Sequence, residues 1–146
     1  MKVEQVDHIH IAVKDMDKSV KLFENLFDMK FCREFVSDEM KLKSRIGAIG
    51  FVGIELIQAT SPDSEIAKFI ERRGEGIQAI SLKVPDIKKA TAEMKAKGVR
   101  LIANVELPMI KEAEFHPKDT CGVQIEFIEY DVLPGGVFAL FEMTAT

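Results

Sequence analysis

The sequence predicts an α+β domain: two βαβββ units paired to form one curved mixed sheet around a cleft. Two coincidences support this reading. Asp7-His8-Ile9-His10-Ile11-Ala12-Val13-Lys14-Asp15 lies over Gln78-Ala79-Ile80-Ser81-Leu82-Lys83-Val84-Pro85-Asp86, which sets residue 8 against residue 79, an offset of 71. At the same offset Gly53–Ile57 lies over Gln124–Ile128, and Glu55 meets Glu126. One offset recurring at two separated places points to internal duplication. The chain has 146 residues, 47% hydrophobic and 30% charged, enough for a self-sufficient core without disulfides.

Each unit opens with a strand that ends at an Asp able to cap the following helix. In the first copy Met16, Val20, Phe23 and Phe27 recur at helical spacing; in the second Ile87, Ala90 and Met94 do so before Gly98 stops the helix. Three strands are expected after each helix: Lys30–Phe35, Lys41–Ile46 and Gly53–Ile57, then Arg100–Ala103, Ala113–His116 and Val123–Ile128. Ser61-Pro62-Asp63-Ser64 starts a short connecting helix with Ile66, Phe69 and Ile70 on its apolar face. Residues 1–146 therefore read as a single domain, with the first module over about 5–60, the connecting helix over about 62–73 and the second module over about 76–130. The apolar tail, 131–146, is expected to pack on the body, on a second chain or over the cleft.

A net charge of −4 disfavours nucleic acid and anionic membranes as partners. No apolar run approaches the ~20 residues of a membrane helix, and the N-terminus does not read as a signal peptide. Cys32 and Cys121, without metal-binding spacing, read as reduced thiols of a cytoplasmic protein.

Strand residues two apart share a face, so His8 sides with His10, Gly53 with Glu55, Ala79 with Ser81, and Gln124 with Glu126. The repeat brings positions 8, 55, 79 and 126 together inside the sheet. Three of them, His8, Glu55 and Glu126, are candidate ligands for a divalent metal such as Co, Ni, Zn, Mn or Fe(II), a choice that imidazole and carboxylate leave open. His10 either lines the cavity or completes the set in place of Ala79. Ser81 and Gln124, on the same faces, are candidate substrate contacts. His116, before Pro117, reads as a loop-packing histidine.

Asp7–Val13, the stretch from Ile54-Glu55-Leu56 through Ser61-Pro62-Asp63-Ser64 to Phe69, Gly74-Glu75-Gly76, His116-Pro117-Lys118-Asp119 and Gly122–Glu126 resemble the vicinal-oxygen-chelate superfamily, which spans glyoxalase, bleomycin-resistance and dioxygenase proteins. Among its branches they resemble methylmalonyl-CoA epimerases most. The resemblance implies a glyoxalase-like fold, a divalent metal in the cleft and enolisation of a small acyl-CoA thioester. It carries metal ligation onto His8, Glu55 and Glu126, and gives Glu126 a second role in proton transfer. Two departures stand out. A ligand histidine of that branch is Ala79 here, and an acid expected near Ser44 is missing from Lys41–Arg45. The implied function is thus a divergent isomerase. The alternatives are a metal-free small-molecule binding or resistance protein, and a glyoxalase I-type lyase. A homodimer is expected.

Overall fold

The computed structural model describes residues 1–130; the tail expectation lies outside them. The first unit comprises β1 (Gln5–Ala12), α1 (Met16–Phe27), β2 (Phe35–Ser37), β3 (Leu42–Ile49) and β4 (Val52–Ala59). After α2 (Glu65–Arg73) the second comprises β5 (Gly76–Lys83), α3 (Ile87–Ala96), β6 (Leu101–Glu106), β7 (Ile110–Phe115) and β8 (Gln124–Tyr130). All eight strands join one sheet in the order β2-β3-β4-β1-β5-β8-β7-β6.

That order displays the duplication. β1 and β5 pair antiparallel at the centre, and each has the last strand of its own unit as a parallel neighbour. His8 faces Ser81 and His10 faces Ala79 across the central pair, so the pseudo-twofold axis passes between these rungs.

The helices start where the sequence places a cap. Asp15 and Asp86 accept from the amides of Lys18 and Lys89, and Ser64 from that of Ala67. A cap of this kind stabilises a helix by about 1 kcal/mol. α1 covers the outer face of the first half, where Val13, Met16 and Val20 meet Ile54 and Leu56. α3 covers the second, with Ile87 and Ala90 against Ala113, Phe115 and Phe127. α2 closes one end of the inner face: Ile66 packs with Ala12 and Ile57. A fourth cluster, Cys32, Ile46, Ile128 and Tyr130, joins residues from both halves. The space left between these plugs holds the polar residues.

Strand limits differ from expectation at the edges. Lys30–Phe35 is not a strand; only an isolated bridge, Phe31 to Gly47, precedes the short β2. β7 begins at Ile110, earlier than expected, because Lys111, Glu112 and Glu114 are strand residues whose polarity disguises the alternation. Both cysteines are free thiols, Cys32 buried and Cys121 exposed. Among the described residues no helix is long and apolar enough to cross a membrane.

Candidate active site

β1 presents His8 and His10 on one face, and the pleat stacks their rings with centroids 4.6 Å apart. His8 is 3% exposed. Its Nδ1 donates to the Asp7 carboxylate at 2.8 Å, and the Tyr130 hydroxyl donates to the other oxygen of Asp7. With Nδ1–H engaged, His8 Nε2 accepts, and His10 Nε2 donates to it at 2.7 Å. Lys83 Nζ lies 4.6 Å above the Tyr130 ring, so the support extends from Lys83 through Tyr130 and Asp7 to His8.

Two carboxylates meet the rings from opposite sides. Glu55 Oε2 lies 3.4 Å from His8 Nε2 and 3.7 Å from His10 Nε2. Glu126 lies 3.5 Å from His8 and 3.7 Å from His10. Ser81, fully buried, donates to Glu126 Oε1 at 2.6 Å. The donor atoms of His8, His10 and Glu126 all fall within 4.8 Å of one another.

Burial alone would pull the His10 imidazole down. The charge and hydrogen-bonding of Glu126, with the charges of Glu55 and Glu114, outweigh it and lift the pKa to about 9. Reciprocally, burial would raise Glu126, yet the positive His10 holds it well below the usual carboxylate range. The carboxylates around the rings therefore favour positive charge at the centre of the cluster. Two imidazole nitrogens and a carboxylate oxygen in one buried group also form a donor set suited to a divalent transition metal.

Of the positions expected to meet, 8, 55 and 126 do converge, and buried Ala79 marks the place opposite His10 where its methyl leaves room. His10 reaches the cluster, as one of its two readings requires. Ser81 is committed to Glu126, and Gln124 bridges Gln78 and Glu114. Ser44 is buried on the inner face, while its neighbours turn away: Lys43 pairs with Glu34 and Arg45 donates to the Cys32 carbonyl. His116 caps the 3-10 turn Pro117–Asp119 by accepting from the Lys118 amide.

Two acids were missed by sequence reasoning. Glu112 and Glu114 stand on the inner face of β7, because Ala113 and Phe115 between and beside them pack outward on α3. Burial, followed by the negative charge of Glu126, pushes both carboxyls up; Glu55 adds to the effect on Glu112. The available signal is their i, i+2 spacing flanking a small apolar residue.

The model for the Glyoxalase/Bleomycin resistance protein/Dioxygenase superfamily matches residues 5–127. Human mitochondrial methylmalonyl-CoA epimerase is 25% identical over 127 residues, covering 84% of this chain and 72% of that protein. The crystal structure of methylmalonyl-CoA epimerase from Mycobacterium tuberculosis superposes with a TM-score of 0.81 at 29% identity, covering 89% and 90% of the two chains. A Streptomyces coelicolor methylmalonyl-CoA epimerase variant in complex with 2-nitronate-propionyl-CoA superposes with a TM-score of 0.83 at 25% identity, covering 90% and 100%.

Proposed function

Because the chain belongs to the glyoxalase/bleomycin resistance protein/dioxygenase superfamily, we propose that it is an epimerase-like enzyme that moves the α-proton of a small acyl-CoA thioester. The carrying observation is the buried group of His8, His10 and Glu126 inside the cleft. These three residues would hold a divalent metal, with Glu55 beside the rings as a fourth donor. When bound, such an ion supplies positive charge for the oxygen of an enolate.

The protein's own residues do the rest. Asp7 fixes the ring of His8, and Ser81 fixes the Glu126 carboxylate. Glu126, or its counterpart Glu55 under the repeat, also has a role in proton transfer. Gln124 borders the substrate, and Ser81, fully buried, acts on it through Glu126. Similarity to epimerases supports the acyl-CoA substrate class, since one of the matched structures holds 2-nitronate-propionyl-CoA. A single-domain, cytoplasmic homodimer is the matching physiological form.

A metal-free binding protein is the second reading. It is favoured by the surroundings of His10, where Glu126 and Glu55 raise its pKa to about 9, so that its own proton offsets part of their charge without an ion. A glyoxalase I-type lyase would share the enolisation step but use a hemithioacetal.

Two measurements test the proposal: metal content of untagged protein after exposure to Co, Ni, Zn or Mn, and deuterium uptake at the α-carbon of methylmalonyl-CoA in D2O. About one metal per chain, lost in His8→Ala, together with exchange, supports it. Absence of both leaves the binding reading. Metal with exchange only on a hemithioacetal selects the lyase.

A further inference from the structure

Inverting an α-carbon requires two groups, because the proton leaves one face and a proton returns to the other. Ser81 holds Glu126 within the closest donor group, beside His8 and His10, which gives the first proton-transfer role to its counterpart Glu55. Asp7 is engaged with His8, and the other inner-face acids are Glu112 and Glu114. Glu114 accepts a hydrogen bond from Gln124 at 2.9 Å. Glu112 has no hydrogen bond or ion pair among the described residues.

Register places Glu112 where a second group is needed. Ser44 pairs with Ile57, and Glu112 pairs with Ile128. Ile57 and Ile128 are equivalent under the offset of 71, so Glu112 on β7 is the counterpart of Ser44 on β3. The pseudo-twofold axis carries the wall positions Ser44 and Glu126 onto Glu112 and Glu55. An acid absent from one wall is present at the equivalent place on the other, and β4 and β7 lie on opposite sides of the central strands.

We propose that Glu112 is the second proton-transfer group of the cleft, acting on the substrate face opposite Glu55. This rests on the epimerase reading above. One of the two carboxylates takes the α-proton as the C–H electron pair moves into the enolate. The other, as a carboxylic acid, gives a proton to the α-carbon from the opposite side. The groups exchange roles for the reverse direction, and proton exchange with solvent water resets them before another forward turnover.

The test compares wild type with Glu112→Gln on each epimer of methylmalonyl-CoA in D2O, with metal content and melting temperature measured alongside. The expected variant epimerises at least about 100-fold more slowly. It still washes deuterium into one epimer with retention, through Glu55, and keeps its metal. Unchanged epimerisation overturns the role of Glu112 and leaves the function intact. Loss of metal together with all exchange also overturns it, marking Glu112 as structural. No α-proton exchange by wild type removes the epimerase reading itself, and this role with it. Should Glu112→Gln fail to fold, Glu112→Asp carries the same comparison, with slowed epimerisation and single-epimer wash-in expected.

Discussion

Asp7 and Gln78 are the bulge residues of the two central strands, and they are equivalent under the internal repeat. Asp7 is the extra residue between the rungs Val6–Leu82 and His8–Ser81; Gln78 is the extra residue between His10–Ala79 and Ile11–Ile77. A bulge re-aims the side chains beside it. Asp7 uses its position to hold His8, whereas Gln78, beside Ala79, binds Gln124 instead. The backbone device is kept in both halves, and only one half still serves an imidazole.

Replacing Asp7 by Asn should therefore weaken metal binding about 10–100-fold, as loss of a carboxylate partner to a ligand histidine does. Tyr130→Phe should act in the same direction and less strongly, since it removes the hydroxyl that orients Asp7. Competitive titration with a chromogenic chelator measures both. Unaltered affinity in Asp7→Asn would show that His8 does not need this support.

His10 and Ala79 are directly opposed, which makes a compensation experiment possible. His10→Ala should lower metal affinity at least about tenfold, and adding Ala79→His to that variant should recover it by moving an imidazole to the facing strand. Metal content of the single and double variants decides. A single variant that binds as wild type does would remove His10 from the ligand set.

Gly53 stands opposite His8, and an added Cβ there would lie 2.7 Å from the His8 Cβ and 3.0 Å from Ile46 Cδ1. Gly53→Ala should cost about 1–3 kcal/mol of stability through overpacking. It should also displace the His8 ring and weaken metal binding. Urea unfolding and the same chelator titration measure the two effects.

Asp119 receives the Arg100 side chain in a two-point contact, with both distances 2.8 Å, and the Arg100 amide at 3.0 Å. The Arg100 guanidinium, then its amide, hold the Asp119 carboxyl far below its ordinary value of 3.8. A depressed carboxyl stabilises the fold above its unfolded pKa, and that contribution is lost as pH falls through the folded value. Thermal melts should show Asp119→Asn losing part of the wild-type decline below about pH 4. At neutral pH its melting temperature should lie below that of wild type.

Strand alternation and helix caps are local signals, so the order of elements and the convergence of His8, Glu55 and Glu126 are legible from spacing and the repeat. The second reading of His10 is visible too, because Ala79 removes bulk at an equivalent position. The part played by Asp7 is not, since its inward turn comes from a bulge, and a one-residue register change has no mark in the sequence. Glu112 escapes for another reason. A charged residue in a strand normally faces water, and only the packing of Ala113 and Phe115 against α3 shows that these glutamates face inward.

Two of the three closest donor atoms come from a single strand, two residues apart. Their spacing is thus set by one pleat and its bulge, not by how well the two halves dock. Breathing between the halves would move Glu126 relative to the imidazoles while leaving the pair of nitrogens in place. Such a centre has a stiff half and a yielding half. Ions of different radius should be accommodated chiefly by movement of β8.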